Sequence, residues 1–124
     1  MSEPLINKET GIRYCANDEE FLTEMLEILV DSCEKNIAKI TNAFDSADWK
    51  NYTIYVHGLK SSSLTVGGEI LSSAAKELEM AGKAIGREEN IAENEAFIRS
   101  RHDEVMKLYK DTVQEAKELI EKSR

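Results

Sequence analysis

The chain has 124 residues, 24 of them acidic and 16 basic, for a formal net charge of −8. That is one domain's worth of protein, able to bury roughly two-thirds of its unfolded surface, and its sign repels phosphate backbones and anionic lipid, which argues against nucleic-acid and membrane partners. One Pro, six Gly, 6% aromatics and the two cysteines Cys15 and Cys33 suit neither a strand-and-turn architecture nor a disulfide scaffold. With no apolar run approaching ~18 residues and no basic-then-apolar leader, the expected setting is cytoplasmic.

Residues 1–16 read as an N-terminal extension and 17–124 as a helical bundle. Within the extension, Asn7 to Cys15 suits a short helix interrupted by Gly11, with Leu5, Ile6, Ile12 and Tyr14 closing one end of a core. Asn17 followed by Glu20 predicts a capping box opening the first long helix. Apolar residues then recur every three or four positions from Leu22 through Leu26, Leu29, Cys33, Ile37 and Ile40 to Phe44.

Asp48 predicts the cap of a second helix, which carries Tyr52, Tyr55, Val56, Leu59, Ser63 and Val66 inward and stops at Gly67-Gly68. A third runs from about Glu69 to Ile85, with small inward residues such as Ala74, Ala75 and Ala81, and Gly86 as its stop. Asn90 and Glu93 predict another capping box, opening a long last helix with Ile98, Val105, Tyr109, Thr112, Ala116 and Leu119 on one stripe and a tail that overhangs or frays. The whole is an all-α, antiparallel, up-down-up-down four-helix bundle preceded by a short N-terminal helix.

Enzyme signatures are missing from the sequence. It has no glycine-rich phosphate loop, no Cys-x-x-Cys and no His-Glu-x-x-His, and His57 and His102 lack metal-ligand spacing, so neither a metal nor another cofactor is expected. The informative residue is His57. At about 100° per residue it falls about 160° from the mean direction of the apolar stripe on its helix, so it faces water. Lys60, Ser61 and Leu64 follow it at i+3, i+4 and i+7, and Ile54 precedes it by a turn, giving a polar nucleophile with an apolar rim. His102, between Ile98 and Val105, reads as a partly buried structural histidine, and Trp49, Tyr52 and Tyr55 as bundle packing.

The run His57-Gly-Leu-Lys60-Ser-Ser-Ser-Leu-Thr-Val-Gly67-Gly, with Leu78-Glu79 on the next helix, resembles the signature of histidine-containing phosphotransfer (HPt) domains. Gly11-Ile12 and the stretch Asn17 to Phe21 extend the resemblance over most of the chain. One departure is Ser61, where the family usually has glycine, which leaves room for a partner's active site.

The resemblance implies a phosphorelay intermediate without a nucleotide site. His57 would take a phosphoryl group from a receiver-domain aspartyl-phosphate, through Nε2, and pass it to another receiver's Asp. Lys60 would stabilise phosphoryl charge, with Lys83 as a second cation and Glu79 holding either the other ring N–H or Lys83. The implied partners are response-regulator receivers, which bring Mg²⁺, and a hybrid sensor histidine kinase, docked on a monomer around Ile54, Leu64 and Gly67. Two other readings stand beside it: the phospho-accepting domain of a chemotaxis-type kinase, and a phosphorylation-incompetent adaptor. An initiating Met and an end at Arg124 favour a free-standing carrier over the former, and an intact His57 and Lys60 speak against the latter.

Overall fold

The computed structural model describes residues 3–123. They form five helices: α1 (Lys8–Tyr14), α2 (Glu19–Asp45), α3 (Trp49–Thr65), α4 (Glu69–Gly86) and α5 (Ile91–Lys122). In the bundle α2 packs on α3 and α5, and α4 bridges α3 and α5, while α1 lies across the α2 and α3 ends. Each long helix thus buries its apolar stripe against two neighbours. Leu22, Leu26, Leu29 and Ile40 of α2 meet Tyr52, Val56 and Leu59 of α3, Leu71, Ala75 and Leu78 of α4, and Ile98, Tyr109 and Ala116 of α5 in one core.

The most extensive helix–helix contact is between α3 and α4, and the small residues of α4 favour it. A Cβ on Gly82 would sit 2.0 Å from the Thr53 hydroxyl, so at this crossing α4 presents bare backbone to α3. This is the packing that the alanine-rich face of α4 anticipates, and it brings polar groups of the two helices within direct bonding reach.

Several helix ends differ from expectation. The cap of α2 is Asp18, whose carboxylate accepts from the Phe21 N–H. Asn17 has already turned left-handed at φ 60° to bring the chain round. Asn90 is likewise left-handed, with no side-chain cap bond. The Asn94 side-chain amide donates instead to the carbonyls of Glu89 and Asn90, bracing the turn without capping the helix N–H groups. Both Asn boxes therefore fail for one reason: an N-cap needs extended backbone, and the tight turns that enter α2 and α5 put these asparagines in the left-handed region they tolerate. Asp48 does cap α3, accepting from the Asn51 N–H at 3.2 Å.

Gly11 does not interrupt α1. It lies inside the helix because any Cβ there would press to 2.6 Å from the Val66 carbonyl oxygen. Gly86 does end α4, and the left-handed turn that follows is taken by Glu88, at φ 60°. Of the residues expected to close the core end, Ile6 is buried, whereas Tyr14 is exposed. The tail of α5 is helical through Lys122 and packed, with Ala116 and Ile120 in the core. Glu115 ties it down further, its carboxylate accepting the backbone N–H groups of Leu5 and Ile6 at 2.8 and 3.1 Å.

Candidate functional site

At the start of α3, His102 reaches in from α5. It is 2% exposed, stacked on Phe44 at 4.0 Å, with Nδ1 3.1 Å from the Tyr52 hydroxyl and Nε2 3.5 Å from the Thr41 hydroxyl. Burial lowers its pKa, partly countered by Asp103 and Asp45. A ring so enclosed holds helices together and offers no nitrogen to a partner. Trp49 packs edge-on to Phe44 and Tyr52 and donates to Glu95 at 2.7 Å.

His57 stands in contrast. Its side chain is 56% exposed, but it does not point straight away from the bundle as the wheel implies. The ring lies along the α3–α4 seam, where Nδ1 is 2.5 Å from Oε2 of Glu79. The side chain of Glu79 is 3% exposed, two turns before the end of α4. Lys60, one turn after His57, reaches the other oxygen, Oε1, at 2.7 Å. Lys83, one turn after Glu79, reaches Oε2 at 3.2 Å. The two roles weighed for Glu79 are thus both filled by one carboxylate, and Lys60 is a third partner that spacing alone does not reveal.

Burial by itself would push the Glu79 carboxyl upward. The hydrogen bonds from Lys60, His57 and Lys83 overcome it and hold the group at about 2. Glu79 is therefore ionised at neutral pH and can only accept. Facing such an acceptor, Nδ1 must carry a proton, so the second ring nitrogen, Nε2, is the one left for chemistry. Two lysines against one carboxylate leave one net positive charge beside the ring.

The surroundings sort the remaining candidates. Ser61 is exposed one turn beyond His57, and Gly58 has no heavy atom within 4 Å of where a Cβ would stand, so the helix surface beside the ring is open. Ile54 is 55% exposed, as expected, whereas Leu64 is half-buried. Gly67 is buried and cannot be a docking residue. At φ 84° it turns the chain out of α3, and a Cβ would fall 2.1 Å from the Asn7 carbonyl oxygen. Sequence reasoning passed over Ile28, 57% exposed, which joins Ile54 and Tyr55 along a groove between α2 and α3. Its position off the apolar stripe of α2 was the available signal.

The model of the Hpt domain family matches residues 24–121 of this chain. The chain belongs to the Hpt domain family. The Hpt chain is 25% identical over 97 residues to the phosphorelay intermediate protein rdeA of Dictyostelium discoideum, a match covering 78% of this chain and 37% of that protein's length. It thus spans little more than a third of that relative. Its fold is that of the crystal structure of the HPT domain from a Shewanella Hpt sensor hybrid histidine kinase, at a TM-score of 0.80 over 95% of both chains and 19% identity. Among the described residues of the Hpt chain, no group of three or more His, Cys, Asp and Glu side chains converges as a metal site. No helix among them is long and apolar enough to cross a membrane.

Proposed function

We propose that this Hpt domain is a phosphorelay intermediate in which Nε2 of His57 accepts a phosphoryl group from the aspartyl-phosphate of one receiver domain and returns it to the Asp of another. The single observation that carries this reading is the grip of buried, ionised Glu79 on Nδ1, which leaves Nε2 of the half-exposed ring unengaged by that carboxylate. In the forward step the Nε2–P bond forms as the P–O bond to the donor Asp breaks, and that Asp leaves as a carboxylate. Positive charge develops on the ring, and Glu79 stabilises it at the Nδ1–H. The lysines at 60 and 83, both held on Glu79, keep net positive charge near the ring that receives the phosphoryl group.

No nucleotide or metal is required of this chain. The receiver brings the Mg²⁺ and the second half of the active site, and the donor receiver belongs to a hybrid sensor histidine kinase in the cytoplasm. Docking runs over the exposed apolar edge of Ile54 and Ile28, beside the groove between α2 and α3. Ser61 narrows the approach by one Cβ and a hydroxyl relative to glycine. A docking-only adaptor has no use for a buried carboxylate aimed at an exposed histidine.

The test is incubation with phosphorylated receivers, following acid-labile, base-stable phosphate on the chain. Label is expected on the parent and lost in His57→Gln. Label that persists in that variant overturns the site, and no label from any receiver favours the adaptor.

A further inference from the structure

Glu79 binds its two lysines unequally, and the inequality bears on how the charge of a phosphoryl group would be met. Lys60 is 27% exposed, sits at 2.7 Å and has Oε1 to itself. Lys83 is 54% exposed, sits at 3.2 Å and shares Oε2 with the His57 ring. Removing Lys60 would strip the partner from one oxygen of a buried carboxylate, an expensive vacancy. Removing Lys83 leaves Oε2 bonded to His57. The ammonium of Lys83 and Nδ1 of His57 meet on that one oxygen, which places them within about 6 Å of each other. A flexible four-carbon stem can carry that charge from Glu79 to the far side of the ring.

We propose a division of labour between the two cations: Lys60 is a positioning residue that stays on Glu79, and Lys83 is the mobile cation that leaves Glu79 to pair with the phosphoryl oxygens on His57. This rests on the transfer function proposed above and reverses the expectation that Lys60, three residues from His57, is the phosphoryl's partner. The electrostatics favour the exchange. A dianionic phosphoryl placed beside the Glu79 carboxylate creates a like-charge repulsion, which a cation moving between them relieves without uncovering either carboxylate oxygen.

The experiment uses phosphoramidate as donor, so that no receiver surface is involved. The Nε2–P bond forms while the donor's P–N bond breaks and its nitrogen leaves as ammonia. Loading of the parent chain, lost in His57→Gln, is the control, and its absence overturns the transfer function itself. Lys83→Gln is expected to load more slowly by roughly fivefold and to shift the phosphorus NMR signal of the phosphohistidine, with Lys83→Arg restoring both. Lys60→Gln is expected to change the nitrogen NMR signature of the Nδ1–H before any phosphate is added, and Lys60→Arg to restore it. If Lys83→Gln loads at the parental rate with an unmoved phosphorus signal, the division of labour is overturned while the transfer function stands. A Lys60→Gln chain that keeps the parental Nδ1 signal and loses the phosphorus shift assigns the phosphoryl to Lys60 and overturns it equally.

Discussion

Glu79 and His57 come from different helices, 22 positions apart, yet Oε2 of one lies 2.5 Å from Nδ1 of the other. A buried carboxylate so held is both a functional and a stability element. Its pKa, about 2 against an ordinary value near 4.5, is lower folded than unfolded. Its stabilisation is therefore fully present above about pH 4.5 and is lost as pH falls towards 2. The contribution at neutral pH is about 2 kcal/mol after allowing for solvent at half-exposed His57 and Lys83. Glu79→Gln should lower the urea midpoint at pH 7 accordingly, reduce the stability loss between pH 4.5 and 2, and slow phosphoryl loading tenfold or more.

His102 titrates in a different window. Burial lowers its pKa below the ordinary 6.5, so the stability that depends on the neutral ring is complete above that pH and erodes as pH falls below it. His102→Gln should weaken the Phe44 stack and the Tyr52 contact, costing about 1–3 kcal/mol, and flatten the stability profile just below pH 6.5. Phosphohistidine formation should be unaffected, which phosphate labelling at neutral pH checks.

Ile54 lies one turn before His57 and is exposed. Ile54→Asp should leave thermal stability within about 0.5 kcal/mol of the parent and loading from phosphoramidate unchanged. Transfer from a phosphorylated receiver should need a several-fold higher receiver concentration. Equal receiver kinetics for both chains would move the docking surface elsewhere.

Gly67 and Gly86 offer a paired test of backbone requirement. Alanine at 67 must adopt φ 84° and displace Asn7, whose carbonyl oxygen lies 2.1 Å from the new Cβ, so Gly67→Ala should cost about 2–4 kcal/mol. Gly86 is helical, with no heavy atom within 4 Å of where its Cβ would stand. Gly86→Ala should instead stabilise by about 0.5–1 kcal/mol. Chemical denaturation of the two variants measures the difference directly.

Sequence alone determined the number and type of the helices, because a stripe of apolar residues every three or four positions is a local pattern that burial enforces at each turn. It also located the Asp48 cap, the end of α3 at Gly67, His57 as the exposed imidazole and His102 as the structural one. Tertiary structure decided what these residues do to one another. That Glu79 serves His57, Lys60 and Lys83 together depends on how closely α3 and α4 approach, which Gly82 opposite Thr53 permits, and on their axial register. No periodicity within one helix encodes either quantity. The same holds for Gly67, whose left-handed turn is legible but whose burial under Asn7 exists only once the N-terminal segment folds back across the bundle's end.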